Sequence, residues 1–135
     1  RTDPASPALM VESEGVGITS NGLNYVGGIA MGCTRTSVIT NDTLTAMNLN
    51  RISFVVMTND SEYTFPMPKT PVIGQILIVV QGNAKINFDP QGKTIYCGGK
   101  TKTTSDKFYS STVGQFNIFI YDGYYWQLQW INQKL

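Results

Sequence analysis

The sequence predicts an all-β domain of the sandwich or barrel kind, and three observations favour that fold class. From residue 9 onward, short runs rich in Val, Ile, Phe, Tyr and Thr are broken by Gly, Asn and Asp at intervals of about ten residues. Ala and Leu are scarce, and no stretch keeps the i, i+3, i+4, i+7 apolar spacing of an amphipathic helix. With 135 residues, 41% of them hydrophobic, the chain is long enough to bury a core as one domain.

The first part of the chain is expected to be a linker followed by a glycine-rich segment. Residues 1–8 contain two prolines and no apolar periodicity, as in a flexible N-terminal segment. Residues 9–135 are assigned to the β domain, in which 9–45 is interpreted as a neck or a first hairpin. Asn21-Gly22 favours a two-residue type I′ turn between strand-like runs. The many glycines here weaken a strand unless another backbone, for example that of a neighbouring subunit, approaches closely.

The central part contains two runs in which every second residue is apolar. The residues that share a face in these runs are Ile52, Phe54 and Val56, and then Tyr63, Phe65 and Met67. Prolines at positions 66, 68 and 71 exclude a central strand, so this stretch is expected to be an edge strand or an extended connection. The run 72–80 (VIGQILIVV) is apolar at both alternating sets of positions, which predicts a strand covered on both sides.

The C-terminal part carries the strongest hairpin signal, because residues 114–121 and 124–131 flank Asp122-Gly123. In the last strand Trp126, Leu128 and Trp130 share one face, while glutamines occupy the other. We interpret these three side chains as a core or subunit-interface face, since tryptophans bury large areas.

Composition excludes several classes of function. Only 14% of residues are charged and the net charge is +1, so nucleic acid is not an expected partner. The chain has no histidine, which excludes mechanisms with a histidine base and histidine-ligated zinc sites. Cys33 and Cys97 are too isolated for a CxxC site, and we interpret them as free, buried side chains. No apolar run approaches the roughly 18 residues of a membrane span, and the start at Arg1 suggests a fragment without a signal peptide.

The carboxylates do not indicate an active site. Almost all of them lie in turn contexts, where Asp bends or caps the backbone: Glu12, Glu14, Asp60, Glu62, Asp89, Asp106 and Asp122. A glycosidase pair needs one carboxyl with a raised pKa in a cleft, and a calcium loop needs an Asp-x-Asp-x-Asp run, which is absent. We therefore expect a protein that is not an enzyme and has no metal site and no cofactor.

The second half, from Tyr63 to Trp130, carries a more specific pattern: YTFPMP, then GQILIVVQG, then PQGKTIYCGG, then GQFNIFIYDGYYWQL. This pattern resembles the C-terminal tip, or head, domain of bacteriophage tail fibres and tail spikes. The most specific element is Tyr121-Asp122-Gly123 followed by Trp126, with one tyrosine more than the commonest spacing has.

The resemblance implies a homotrimeric head at the extracellular tip of a virion fibre. Together with the strand pattern, it leads us to expect an antiparallel β-sandwich, jelly-roll-like, in a homotrimer. The expected function is non-catalytic receptor binding during host attachment, and the expected partners are a bacterial surface polysaccharide or protein and two further copies of the chain. Membrane insertion is not expected. The open alternatives are a capsid-decoration or fibre-connector domain and a carbohydrate-binding module of a secreted protein.

Two groups of residues are candidates for receptor contact. The polar stretch 98–111 is expected to be a surface loop, in which the lysines could hold an anionic sugar and the aromatic residues could anchor it: Lys100, Lys102, Lys107, Phe108 and Tyr109. An ordinary solvated loop is the alternative. Tyr124 and Tyr125 lie beside the last turn, where at least one of them is expected to face solvent, and they are the stronger ligand candidates.

Overall fold

The structure is a computed structural model, and it describes residues 11, 18–23, 26–98, 100–102, 108–110 and 112–131, with the backbone alone for 100–102 and 108–110. The chain divides into two compact units, Arg1–Ala30 and Met31–Leu135. The division falls inside the segment 9–45 that was expected to be a neck or a first hairpin.

In the first unit, the described residues form neither a helix nor a strand. The predicted hairpin around Asn21-Gly22 is therefore wrong for residues 18–23 and 26–30. Its other residues and the predicted linker 1–8 lie outside the described residues. The physical reason is that the glycines leave few side chains to pack between two strands.

The second unit is built mostly of strands with one short helix, which confirms the predicted β-rich class. Its elements in chain order are β1 (Cys33–Thr36), α1 (Asn41–Asn48), β2 (Phe54–Met57), β3 (Tyr63–Pro66), β4 (Ile76–Val80), β5 (Ile86–Asp89), β6 (Thr94–Cys97), β7 (Lys100–Lys102), β8 (Phe108–Ser110), β9 (Phe116–Tyr121) and β10 (Tyr125–Ile131).

The helix α1 corrects the prediction that the chain contains no helix. Its sequence, NDTLTAMN, is a poor helix former, but Thr40 caps its N-terminus and accepts a hydrogen bond from the Thr43 N–H at 3.2 Å. Asp42 adds an acidic side chain to the first turn, and Met47 is fully buried near the end. The helix therefore depends on a cap and on one core contact rather than on an apolar stripe.

The strands form two mixed sheets, so the predicted antiparallel pairing is wrong for half of the ladders. The seven-stranded sheet has the order β1-β2-β4-β9-β10-β6-β7, and the three-stranded sheet has the order β3-β5-β8. Four pairings are parallel: β1 with β2, β2 with β4, β6 with β10, and β3 with β5. Turn signals predict only hairpins between successive strands, and these parallel pairs join strands through long connections.

One hydrophobic core is shared by both sheets and the helix. Phe88 on β5 contacts Phe119 on β9 edge-on, with ring centroids 4.9 Å apart, and Phe65 on β3 lies 5.6 Å from Phe88. The Phe119 ring also meets Trp126 on β10 edge-on at 6.3 Å. These aromatic contacts hold the two sheets against each other.

The buried polar side chains of the described residues are all amides: Asn59, Gln75, Gln81, Gln115 and Asn117. Gln75 Nε2 donates to the Met47 carbonyl at 2.9 Å, and its Oε1 accepts from the Val72 N–H at 3.2 Å. Gln75 thus fastens the end of α1 to the start of β4. An amide can satisfy buried backbone groups in this way without the desolvation cost of a charge.

Several local predictions are confirmed. Phe65 and Met67 are buried on one face, and β3, which ends at Pro66, lies at an edge of its sheet. The hairpin of β9 and β10 forms as predicted. Cys33 and Cys97 are free, but Cys33 is exposed on β1 and so differs from the buried side chain that was expected.

The seven-stranded sheet has an inner face, which packs on the core, and an outer face. On β4 the inner residues Leu77 and Val79 are fully buried, whereas Ile76 on the outer face is 43% exposed. The prediction that this strand is covered on both sides is therefore wrong for the single chain at Ile76.

Replacing Phe88 should show how strongly the core depends on the contact between the sheets. We expect Phe88→Ala to lower the free energy of unfolding by about 3–5 kcal/mol, because it leaves a cavity between the Phe65 and Phe119 rings. Urea denaturation measures this change. Val113→Ala, at an exposed position, is the control and should change the free energy by less than about 0.5 kcal/mol. Equal effects of the two variants would contradict the described packing.

Candidate functional site

The turn between β9 and β10 is organised by the Asp122 carboxylate. Its Oδ1 accepts hydrogen bonds from the N–H groups of Tyr124 and Tyr125 at 2.8 and 2.7 Å, and its Oδ2 accepts one from Gln127 Nε2 at 2.8 Å. Gly123 has φ +100°, in a region where glycine is favoured. The last ladder pair joins Tyr121 to Trp126, so the loop is longer than a two-residue turn and accommodates the extra tyrosine.

These hydrogen bonds also set the charge of the turn. The N–H of Tyr125, the side chain of Gln127 and the N–H of Tyr124 lower the pKa of Asp122 below its ordinary value. The group therefore remains a carboxylate at neutral pH, and both of its oxygens are occupied by donors of the chain itself. Asp122 thus holds two backbone N–H groups of the turn and the side chain of Gln127.

Beside this turn, Tyr96 and Tyr125 form a stacked pair, which we call the tyrosine platform. Tyr125 is on β10, and Tyr96 is on the parallel neighbour β6, two residues beyond Thr94, which is the ladder partner of Tyr125. Their ring centroids are 5.6 Å apart and the ring planes differ by 27°. Tyr125 is 38% exposed and Tyr96 is partly exposed, so the pair forms an aromatic surface on the outer face.

Gln127 lies next to the platform and is held in place. It pairs with Tyr96 across the β6–β10 ladder and with Ile120 across the β9–β10 ladder. Its Nε2 donates to Asp122, which leaves the amide oxygen directed away from that hydrogen bond. The site therefore combines an aromatic surface with a fixed amide and an ionised carboxylate.

The predicted loop 98–111 is wrong as a single loop, because its backbone contributes to two sheets. Lys100 and Lys102 are on β7, at the edge of the seven-stranded sheet, whereas Phe108 and Tyr109 are on β8, at the edge of the three-stranded sheet. Lys107 lies outside the described residues. The candidates on β7 and those on β8 therefore belong to different sheets and do not share one loop.

The candidates on the last hairpin lie in three different environments. Tyr124 projects from the turn and is 83% exposed, whereas Tyr125 belongs to the platform. Trp126 and Leu128 are buried on the inner face. Trp130, which follows on the same face, is 41% exposed at the end of the strand.

Sequence reasoning missed Tyr96 and Gln127 as members of the site. The run TIYC shows strand-like composition, and Gln127 alternates with Trp126 and Leu128. The two residues become neighbours through the parallel pairing of β6 with β10, for which the sequence offers no turn signal.

An apolar groove lies close to the turn. It is an open groove of about 350 Å³ lined mainly by apolar residues at the start of β4: Met31, Asn50, Ser53, Val72, Ile73, Gly74, Gln75 and Ile76. A Cβ atom at Gly123 would lie 3.2 Å from the Ile73 side chain, so the groove adjoins the turn. The amide of Gln75 lines the groove but already donates to the Met47 carbonyl and accepts from the Val72 N–H.

Two further classes of site were sought among the residues that the structure describes. No group of three His, Cys, Asp or Glu side chains there is arranged to hold a metal ion. In the same part of the chain, no helix has the length and apolar character needed to cross a membrane.

Comparison of the chain with protein-family models, with curated proteins and with solved structures finds no match.

The Asp122 hydrogen bonds predict a specific dependence of stability on pH. Because the folded-state pKa is lowered, the carboxylate stabilises the fold above the ordinary pKa of about 3.9, and this contribution is lost as pH falls through the folded-state value. We expect Asp122→Asn to unfold more easily than the unaltered chain at pH 7, with a difference that shrinks below about pH 4. Thermal unfolding across pH measures it.

Asp122→Ala is the companion variant. It also removes the acceptors of the Tyr124 and Tyr125 N–H groups, so it should be less stable than Asp122→Asn throughout the pH range. A difference between Asp122→Asn and the unaltered chain that stays constant from pH 7 to acid would contradict the role given to the charge.

Proposed function

We propose that this chain is a non-catalytic glycan-binding domain that acts in host attachment at the tip of a trimeric bacteriophage tail fibre. The observation that carries the proposal is the tyrosine platform, with Gln127 and Asp122 beside it. The fibre, the virion location and the bacterial receptor rest on the resemblance of residues 63–130 to fibre heads.

The platform has the chemistry that sugar rings require. The apolar C–H face of a pyranose packs on an aromatic ring, and its hydroxyl groups need donors and acceptors at the edge. Tyr96 and Tyr125 supply the rings, and their hydroxyl groups and the Gln127 amide oxygen supply polar partners. Because Asp122 holds the Gln127 side chain and Tyr96 packs on the Tyr125 ring, little side-chain freedom is lost when a ligand binds.

Two carboxyl groups, those of Asp122 and Glu62, support binding rather than hydrolysis. A glycosidase acid needs a raised pKa, whereas the pKa of Asp122 is lowered. The pKa of Glu62 is lowered too, first by a hydrogen bond from Asn87 and then by the charge of Lys85, whose Nζ lies 3.5 Å from Glu62 Oε1. Both carboxylates therefore already accept hydrogen bonds from groups of the chain itself.

The proposal includes a two-sheet sandwich in each subunit and three subunits in the head. The shared core of Phe65, Phe88 and Phe119 supports face-to-face packing of the sheets. The jelly-roll-like character and the trimer stay predictions. A surface with few charges favours contacts between copies, since these copies repel each other weakly.

The test is binding of the purified chain to an array of bacterial surface polysaccharides and to the cells that carry them. We expect at least one glycan to bind, and Tyr125→Ala to weaken that binding about tenfold, because the ring that stacks on the sugar is lost. Surface plasmon resonance measures the dissociation constant.

Tyr125→Phe is the matched control, since it keeps the ring and removes the hydroxyl group, and it should retain most of the affinity. Tyr124→Ala removes a tyrosine ring that is more exposed, at 83%, but lies outside the stacked pair, and it should have a smaller effect. The proposal is wrong if no glycan or cell binds, or if Tyr125→Ala binds as tightly as the unaltered chain. Binding to another virion protein alone would instead indicate a connector domain, and glycan binding by a monomer would indicate a carbohydrate-binding module.

A further inference from the structure

The outer face of the seven-stranded sheet contains an apolar half, which we define by six side chains on β2, β4 and β9: Phe54, Ile76, Ile78, Phe116, Ile118 and Ile120. In the ladders Ile76 lies opposite Ile120, Ile78 lies opposite Ile118, and Phe54 is next to Ile78. The Phe54 and Phe116 rings are 6.0 Å apart. These side chains therefore form one continuous apolar surface.

The outer face of β9 is apolar, unlike that of a strand with water on one side. A strand with one solvated face alternates apolar residues toward the core with polar residues toward water. On β9 the amide Asn117 points inward and is fully buried, with Nδ2 donating to the Val79 carbonyl at 3.1 Å. The outward residues Phe116 and Ile120 are apolar and are 39% and 43% exposed. Such a surface marks a place where another molecule binds.

We infer that the apolar half is covered by a second copy of this chain. This inference rests on the proposed function only in expecting self-assembly, and it assigns that assembly to one named surface. It leaves the tyrosine platform, on β6 and β10 of the same face, at the rim of the contact.

The charge of the surface favours another copy over other occupants. The described strands β2, β4 and β9 contain no charged residue, so they offer nothing to a phosphate, a lipid headgroup or a charged peptide. The net charge of +1 lets copies approach without strong repulsion. Contacts between identical subunits are typically apolar and resemble a domain core cut in half.

The test uses the full chain in sedimentation equilibrium. We expect a mass that is a multiple of 14.9 kDa, with three copies as the proposed fibre head requires. In the variant Ile76→Glu/Ile120→Lys, the new charges lie directly opposite each other on antiparallel strands, so they can pair within one subunit and preserve its fold. An apolar partner would strip water from these charges at a high cost, so the oligomer should dissociate and the mass should fall to 14.9 kDa.

Val113→Lys is the control variant. It replaces an apolar residue that is 66% exposed in the turn before β9, outside the apolar half, and it should keep the oligomeric mass. Circular dichroism shows whether each variant is folded. Should the charged pair prevent folding, Ile76→Thr/Ile120→Thr keeps β-branched side chains and should raise the dissociation constant of the oligomer at least tenfold.

A footprinting measurement on the unaltered chain completes the test without any substitution. Carbene labelling should spare Ile76 and Ile120 while it modifies Ile73, which lies outside the apolar half. A monomeric unaltered chain, a folded charged-pair variant that keeps its oligomeric mass, or strong labelling of Ile76 and Ile120 in the oligomer would each overturn the inference. The folded monomeric variant should still bind glycan, with weaker avidity than the oligomer. Its binding therefore tests the glycan proposal separately from the oligomeric state.

Discussion

The edge-to-face contact between Phe119 and Phe88 is the interaction on which the rest of the structure depends. It joins the middle of the seven-stranded sheet to the three-stranded sheet, and Phe119 also contacts Trp126 on the neighbouring strand. Because side chains alternate along a strand, directing Phe119 and Trp126 inward turns Ile120, Tyr125 and Gln127 outward. The inner packing therefore decides which residues reach the surface.

The low charge of the chain has a structural counterpart in its interior. The buried polar residues of the described chain are Asn and Gln, and among them Gln75 and Asn117 donate to backbone carbonyl groups. Gln115 Nε2 donates to Asn117 Oδ1 at 2.8 Å, and Asn117 in turn donates to the β4 backbone. Such a network satisfies buried polar groups without ion pairs, whose desolvation would cost more. The low charge from which we expected no nucleic-acid partner is thus also seen in the core, where amides take the place of ion pairs.

The outer face divides its chemistry between two neighbouring halves. Ile120 and Gln127 are cross-strand partners, so the apolar surface on β9 borders the polar and aromatic surface on β10 directly. In the adhesive head that we propose, the apolar surface would hold subunits together and the tyrosine platform would contact the receptor. Several copies of the platform would then raise the avidity of weak sugar contacts.

The sequence by itself determined the local features of this protein. It predicted the hairpin of β9 and β10, the edge position of β3 and the alternation that buries Phe65 and Met67, because turn geometry and strand periodicity depend on neighbouring residues. Tyr125 was predicted as a ligand candidate, but its partner Tyr96 was not. Only the tertiary structure decided the parallel ladders, the helix α1 and the tyrosine platform. These features arise from burial shared by segments far apart in the chain, and no local pattern records which distant strand will supply that burial.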